Sequence, residues 1–135
     1  MKIHNKPKKR FGQNFLQDEN ILNNILKEIN SQPNDLIIEI GPGYGALTQK
    51  LIFASENLIA VEIDNELAAS LKERFPDLQL INEDFLETDL SKLPKDEKKL
   101  RVVGNIPYNI TSPILFKLIE NNKLIKDAVF MVQLE

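Results

Sequence analysis

The chain has 135 residues, which corresponds to one domain, and its 42% hydrophobic and 27% charged residues predict a folded core. Because it contains no cysteine and a single histidine, His4, we exclude disulfides, thiolate metal sites and cysteine nucleophiles, and we expect no metal site. No apolar run reaches the ~18 residues of a membrane span, and the N-terminus lacks the apolar segment of a signal peptide. We therefore expect a cytoplasmic protein that works without a membrane.

The basic residues are concentrated at the N-terminus. Five of the 17 fall within the first ten positions, and no acidic residue precedes Asp18. The rest of the chain carries 12 basic and 20 acidic residues, a net charge of −8. A basic arm on an acidic body points to a polyanionic partner, although a solvated tail gives the same pattern. The basic side chains of the arm are Lys2, Lys6, Lys8, Lys9 and Arg10.

The first predicted element after the arm is an amphipathic helix. Asp18 is a suitable N-cap, the apolar residues between 21 and 29 fall on one helical face, and the polar stretch 31–34 ends the helix. Residues 36–40 then form a short apolar run typical of a buried strand. A glycine-rich turn follows this run and leads into a helical stretch at 46–55.

Strands and helices continue to alternate along the chain. A helix is predicted at 66–75, where Pro76 stops it, and a polar connection is predicted at 83–99. Thr111 or Ser112 is expected to cap a later helix. Its expected apolar stripe is Ile114, Leu115, Leu118 and Ile119. The remaining predicted strands are residues 58–63, 78–82, 100–104 and 127–133.

This alternation predicts an α/β fold of right-handed βαβ units around a parallel sheet. A parallel sheet covered by helices is buried on both faces, which explains why its strands are apolar throughout. Ligands of such sheets bind beyond the carboxyl ends of the strands. We therefore looked for functional residues directly after each predicted strand.

The first motif is Glu-Ile-Gly-Pro-Gly-Tyr-Gly at 39–45, directly after the first strand. Its glycines, including Gly41 and Gly43, allow a sharp turn and a close approach of the backbone to a ligand. Glu62 lies 21 residues after Gly41, at the end of the second strand, where a carboxylate can accept hydrogen bonds from ribose hydroxyls. We favour a nucleoside site over a purely structural turn.

The spacing of the glycines bears on the kind of nucleoside. A dinucleotide loop has the pattern G-x-G-x-x-G and binds a pyrophosphate through main-chain N–H groups. Here the pattern is G-x-G-x-G, and Pro42 removes one N–H donor. S-adenosylmethionine, which has no phosphate, fits this loop better than a dinucleotide. An NAD-dependent oxidoreductase remains an alternative.

Two further motifs follow the third and fourth strands. Asp84 and Phe85 are placed to bind an adenine, the carboxylate accepting from its amino group and the ring flanking it. Asn-Ile-Pro-Tyr at 105–108 matches the motif of enzymes that methylate exocyclic amino groups. The side-chain carbonyl of Asn105 and the main-chain carbonyl of Ile106 would each accept one hydrogen bond from an adenine N6 and aim its lone pair at the methyl group. Pro107 would fix the turn, and Tyr108 would stack on a flipped base.

Together these motifs resemble the ribosomal RNA adenine N6-dimethyltransferases, and most closely the small-subunit branch associated with kasugamycin sensitivity. The resemblance rests on residues 13–16, 39–48, 83–84 and 105–113 and extends from about residue 8 onward. It implies the Rossmann-like fold of class I S-adenosylmethionine-dependent methyltransferases, with a mostly parallel sheet that here stops after the fifth strand. The large-subunit methylases of the erythromycin-resistance type and a non-catalytic, RNA-binding assembly factor remain alternatives.

The resemblance also implies roles for individual residues. Asn14 and Leu16 would close over S-adenosylmethionine, Gly41 would approach its methionine end, Glu62 would hold its ribose and Asp84 its adenine. Asn105 would lie between this cofactor and the target base. The basic arm, with Lys6, Lys8, Lys9 and Arg10, would contact RNA phosphates.

The resemblance further implies the substrate, two adjacent adenosines near the 3′ end of small-subunit ribosomal RNA in an assembling 30S particle. Residues 1–17 would form the basic arm with the cofactor-closing motif, and residues 18–135 the N-terminal part of the methyltransferase domain. Family members continue into further strands and a helical RNA-binding domain, so we interpret the chain as an N-terminal fragment of an enzyme that acts as a monomer. Without those strands, the apolar segment 128–132 would be an aggregation-prone sheet edge.

Overall fold

A computed structural model describes residues 18–93 and 98–133. The sequence-predicted arm, with Asn14, Leu16 and the basic residues at 6 and 8–10, lies outside these residues. The described part contains five strands and four α-helices. The helices are α1 (Glu19–Ile29), α2 (Ala46–Ala54), α3 (Asn65–Arg74) and α4 (Thr111–Glu120). The strands are β1 (Leu36–Ile40), β2 (Asn57–Val61), β3 (Gln79–Ile81), β4 (Leu100–Pro107) and β5 (Ile125–Gln133).

The five strands form one sheet in the order β3-β2-β1-β4-β5, and every neighbouring pair is parallel. All five residues of the central strand β1 are buried. Ile38 of β1 belongs to an apolar cluster with Phe85 and Leu118. The neighbouring Ile37 belongs to a second cluster, which it forms with residues of α1 and α2. The parallel, doubly covered sheet predicted from the sequence is therefore confirmed.

The N-terminal caps follow the sequence in α1 and depart from it in α4. The Asp18 carboxylate accepts from the N–H groups of Asn20 and Ile21, as expected of an N-cap. The predicted cap of α4 at Thr111 or Ser112 is wrong, because Ile110 occupies the cap position without a side-chain hydrogen bond. The Thr111 hydroxyl donates instead to the Pro107 carbonyl.

The C-terminus of α1 agrees with the prediction. It ends at Ile29, just before the polar stretch 31–34. The intervening residue, Asn30, caps the helix in the left-handed conformation with φ 46° and donates its N–H to the Leu26 carbonyl. Asparagine tolerates this conformation better than most residues because its short side chain bonds locally.

Three further expectations for the second half of the chain are wrong. Strand β4 does not end at Gly104 but continues to Pro107, because β5 pairs with it as far as Pro107 and Gln133. The connection after β3 is not simply polar, since its short 3-10 turns bury Phe85 and Leu90. The stripe on α4 is only half buried: Ile114 and Leu118 are in the core, whereas Leu115 and Ile119 are exposed.

No helix among residues 18–93 and 98–133 has the length and apolar character needed to cross a membrane. Strands β2, β1 and β4 are neighbours in the sheet, so their carboxyl ends lie side by side at the same end of the sheet. Strands β2 and β3 lie on one side of β1, whereas β4 and β5 lie on its other side. The direction in which strands are added to the sheet therefore reverses between β1 and β4. Sheets of this type bind ligands at that reversal.

Candidate functional site

Three glycines with positive φ build the loop between β1 and α2. Gly41 and Gly43 have φ +60° and Gly45 has φ +89°, a region that other residues rarely adopt. A Cβ on Gly45 would come within 3.0 Å of the Leu71 side chain, whereas a Cβ on Gly41 would meet nothing within 4 Å. Gly45 therefore lets the loop pack on α3, and Gly41 leaves open space beside the loop.

The N–H groups of these glycines already have acceptors within the protein. Each nitrogen lies 2.9–3.0 Å from its acceptor. Gly41 donates to the Val61 carbonyl, Gly43 to the Glu62 Oε1 and Gly45 to the Pro42 carbonyl. A pyrophosphate needs such groups free to point at it. The loop is therefore poorly equipped for a dinucleotide, in agreement with the prediction from the glycine spacing.

Glu62 is held rigidly at the end of β2. It is only 5% exposed, and its two carboxylate oxygens accept from the N–H groups of Gly43, at 3.0 Å, and Asp64, at 2.9 Å. The Asn82 amide donates to its main-chain carbonyl at 2.9 Å. Because each carboxylate oxygen has a second lone pair, Glu62 can still accept hydrogen bonds from a pair of hydroxyls.

A second buried carboxylate, Glu39, lies on β1 directly before the glycine loop. It is 2% exposed and accepts a 2.6 Å hydrogen bond from the Thr48 hydroxyl of α2. Burial raises the pKa of Glu39 to about 7 against the opposing effect of this hydrogen bond, and the charge of Glu62 contributes to the increase. Glu39 therefore keeps its proton to a higher pH than an exposed glutamate does.

Asp84 begins a short 3-10 turn, Phe85–Glu87, after β3. Its Oδ1 accepts from the Leu86 N–H at 3.0 Å, and the Thr88 hydroxyl donates to its carbonyl at 3.1 Å. The Phe85 ring is 4% exposed and packs into the core. The turn therefore presents a carboxylate beside an apolar wall.

Asn105 lies near the end of β4, next to the central strand. A Cβ on the preceding residue, Gly104, would come within 2.9 Å of the Ile40 carbonyl, so the close approach of β4 to β1 depends on that glycine. The Oδ1 atom of Asn105 is buried and has no hydrogen-bond partner among the described residues. Buried polar atoms are nearly always paired, which makes this acceptor an indication of a binding site.

Most of these residues line a cavity of about 390 Å³ at the carboxyl end of the sheet, within the range typical of small-molecule sites. Tyr108 is not among the lining residues and is 56% exposed beside them. Within the described residues, no group of three or more His, Cys, Asp or Glu side chains is arranged to hold a metal ion. The predicted site residues that line the cavity are Gly41, Gly43, Glu62, Asp84, Phe85, Asn105, Ile106 and Pro107.

The cavity also has apolar lining residues that the sequence analysis missed. Ile63 is 63% exposed directly after Glu62, and Leu86 is 40% exposed on the 3-10 turn. Ile110 and Ile114 complete the wall next to α4. The sequence could have indicated Ile63, because it is an apolar residue that directly follows the acidic end of β2. Ile110 and Ile114 are recognisable as lining residues only from the fold.

Comparisons with known proteins agree with this geometry. Residues 4–135 match the family model described as ribosomal RNA adenine dimethylase. A protein of Chlorobium phaeobacteroides named ribosomal RNA small subunit methyltransferase A is 49% identical over 95% of this chain and 47% of its own length. A protein of the same name from Acinetobacter baylyi is 47% identical over 96% of this chain and 48% of its own. The chain thus spans about half the length of the curated relatives it matches.

Solved structures show the same likeness. A dimethyladenosine transferase from Plasmodium falciparum is 34% identical, with a TM-score of 0.71 over 84% of this chain and 41% of that one. The 23S rRNA methyltransferase ErmE is 33% identical, with a TM-score of 0.76 over 89% of this chain and 48% of that one. The sheet is therefore the Rossmann-like sheet of the S-adenosylmethionine-dependent methyltransferases, and with a family model that covers nearly all of its residues, the chain belongs to the ribosomal RNA adenine dimethylases.

Proposed function

We propose that the protein transfers methyl groups from S-adenosylmethionine to the N6 amino groups of adenosines in ribosomal RNA. The observation that carries this proposal is the Asn105 Oδ1, a buried acceptor without a partner at the cavity beside the glycine loop. An unpaired buried acceptor costs about 1–3 kcal/mol, which a donor on a ligand would recover. An adenine amino group is such a donor, and membership of the family supports the same reaction.

The residues of the cavity fit S-adenosylmethionine. The free lone pairs of Glu62 would hold the ribose hydroxyls, and Asp84 would accept from the adenine amino group beside Phe85. The open space at Gly41 leaves room for the methionine part, next to Gly43. When bound, this cofactor supplies an electrophilic methyl group on a sulfonium. Asn14 and Leu16, outside the described residues, are proposed to close over it.

The chain's own contribution to the reaction is to orient the amino group. The N6 lone pair of adenine is delocalised into the ring, so the nitrogen is a poor nucleophile until its hydrogens are drawn out of the ring plane. The Asn105 Oδ1 and the Ile106 carbonyl would each accept one of those hydrogens. Pro107 holds the strand end extended, with φ −62° and ψ 143°. The half-exposed Tyr108 ring offers a stacking face worth about 1–3 kcal/mol per base.

The proposed substrate is a pair of adjacent adenosines near the 3′ end of small-subunit ribosomal RNA, within an assembling 30S particle. Support comes from the names of the curated relatives and from the basic arm, whose Lys6, Lys8, Lys9 and Arg10 would contact phosphates. We propose that the full-length protein acts as a monomer in the cytoplasm, where such particles assemble.

Replacement of Asn105 tests the proposal. We expect Asn105→Ala in the full-length protein to lower the rate of methyl transfer by about 10²–10³-fold, because one of two orienting acceptors is lost. Binding of S-adenosylhomocysteine, measured by calorimetry, should change much less. Asn122→Ala is the matched control, because Asn122 is an exposed asparagine outside the motif and the cavity lining.

Each outcome has a definite meaning. Loss of transfer with retained cofactor binding supports the assigned role of Asn105. Unchanged transfer by Asn105→Ala would contradict that role. If the wild-type protein bound NAD and not S-adenosylhomocysteine, the proposed reaction itself would be wrong.

A further inference from the structure

Lys117 makes an unusual set of contacts for a helical lysine. It lies on α4, half-buried, and its ammonium donates to the Thr88 carbonyl at 2.6 Å and to the Leu86 carbonyl at 3.2 Å. The same ammonium lies 5.5 Å from the centre of the Phe85 ring. One side chain of α4 therefore contacts three of the four residues that follow Asp84.

These contacts fall on a segment with little regular structure of its own. The turn Phe85–Glu87 is a single 3-10 turn, whose hydrogen bonds have poorer geometry than those of an α-helix. Within the segment, the Glu87 N–H donates to the Asp84 carbonyl, and the Thr88 N–H donates to the Phe85 carbonyl. A cation that binds carbonyls at the end of such a turn stabilises it, because unpaired carbonyls carry partial negative charge.

The position of the turn determines the shape of one cavity wall. Asp84, Phe85 and Leu86 all line the cavity, and Ile110 and Ile114 line it from the beginning of α4. Lys117 lies one helical turn beyond Ile114. Its ammonium therefore connects α4 with the turn after β3, and these two elements form adjoining parts of the cavity wall. α4 also begins only four residues after Pro107, so it is directly connected to the segment that carries Asn105.

We propose that Lys117 is a positioning residue for the adenine subsite: it fixes the turn after β3 so that the Asp84 carboxylate meets the adenine amino group. This inference rests on the proposed use of S-adenosylmethionine and goes beyond it in assigning adenine selectivity to a residue outside the cavity lining. Hydrogen bonds in which one partner is charged are stronger than those between neutral groups. The two carbonyls and the aromatic ring together hold the ammonium in one position.

The test compares two ligands that differ only in the base. S-adenosylhomocysteine carries the amino group that Asp84 would accept, whereas S-inosylhomocysteine carries a carbonyl oxygen there, which a carboxylate repels. The wild-type, full-length protein should bind the adenosyl ligand more tightly. In Lys117→Met, which keeps the aliphatic stem, we expect affinity for the adenosyl ligand to fall about tenfold and the ratio between the two ligands to shrink by a similar factor.

Two further variants complete the experiment. Lys117→Arg keeps a cation with several donors and should restore most of the selectivity. Lys123→Met, an exposed lysine just after α4, is the matched control and should leave both affinities unchanged. Thermal unfolding of each variant shows whether the protein is folded at the temperature of the binding measurement.

The outcomes separate this inference from the proposed function. An equal loss of affinity for both ligands in Lys117→Met would mean a general structural role and would overturn the inference. Unchanged selectivity in Lys117→Met would overturn it as well. Failure of the wild-type protein to bind S-adenosylhomocysteine would instead refute the proposed function.

Discussion

At the scale of single residues, the two buried carboxylates beside the glycine loop have different tasks. Glu62 is held by main-chain N–H groups on both oxygens, which fixes its position for a ligand. Glu39 accepts from the Thr48 hydroxyl, and its burial raises its pKa to about 7. Glu62 is therefore the carboxylate that we propose binds the ribose hydroxyls, and Glu39 affects stability through its protonation.

The raised pKa of Glu39 predicts a pH dependence of folding. Between about pH 4.5 and pH 7, the folded protein keeps a proton that the unfolded chain has lost, so the free energy of unfolding falls as the pH rises. Above pH 7 the carboxyl is ionised in both states, and the loss levels off at about 3 kcal/mol, from 1.36 kcal/mol per pKa unit. Glu39→Gln, which can still accept from Thr48, should lack this decrease.

Urea denaturation at pH 5 and pH 8 measures the effect. Between pH 5 and pH 8, the free energy of unfolding of the wild-type protein should fall by roughly 2–3 kcal/mol more than that of Glu39→Gln, because part of the effect has already occurred at pH 5. Glu73→Gln, at an exposed position of α3, should follow the wild-type curve. A parallel decrease in wild type and Glu39→Gln would show that another group causes the pH dependence.

The residues of the site differ in how far the sequence predicts them. Gly41, Glu62 and Asn105 are recognisable because each lies at or directly after the end of a predicted strand, where ligands of parallel sheets bind. Lys117 is not recognisable, because its contacts with residues 86 and 88 depend on how α4 packs against the turn after β3. The unpaired state of the Asn105 oxygen likewise emerges only from the three-dimensional surroundings.

At the scale of elements, Arg101 joins three parts of the fold at the edge opposite the cavity. This residue of β4 is 7% exposed and forms ion pairs with Asp35, at 2.7 Å, and with Asp127 of β5, at 2.9 Å. It also donates to the Ile29 carbonyl at the end of α1 at 2.6 Å. The pKa of Asp35 is lowered: burial alone would raise it, but hydrogen bonds from the Gln32 N–H and from Arg101 outweigh that effect.

Loss of Arg101 should therefore destabilise the fold. We expect Arg101→Met to lower the free energy of unfolding by about 3 kcal/mol, because the largely buried Asp35 carboxylate and the Ile29 carbonyl at the helix end lose their partner. Chemical denaturation measures this change, and Lys50→Met, an exposed substitution on α2, is the control. A loss below about 1 kcal/mol would show that water replaces the guanidinium at little cost.

The sequence predicts the order and type of the elements well, but their ends less well. Strand β1 is predicted correctly because its apolar run is bounded by Asn34-Asp35 and by Gly41. Strand β4 is three residues longer than predicted, because pairing with β5 keeps Asn105 to Pro107 extended. The cap of α4 is mispredicted because the Thr111 hydroxyl bonds backward to Pro107 instead of to the helix.

At the scale of the whole molecule, the sheet order creates the site. The glycine loop, Glu62 and Asn105 come from three strands that are separated in sequence but adjacent in the sheet.

The outer face of α4 exposes Phe116 and Ile119, and among the described strands β5 has a neighbour on one side only. The aggregation-prone edge expected at 128–132 stays a prediction.

We propose that this site methylates adenine N6 in small-subunit ribosomal RNA, and one experiment tests this proposal most directly. The most direct measurement incubates the full-length protein with tritium-labelled S-adenosylmethionine and unmethylated small or large ribosomal subunits, and then identifies the labelled nucleosides by mass spectrometry. We predict N6,N6-dimethyladenosine at two adjacent positions near the 3′ end of the small-subunit RNA, formed about 10²–10³-fold more slowly with Asn105→Ala. Label in large-subunit RNA alone, on another base, or in neither RNA would contradict the account.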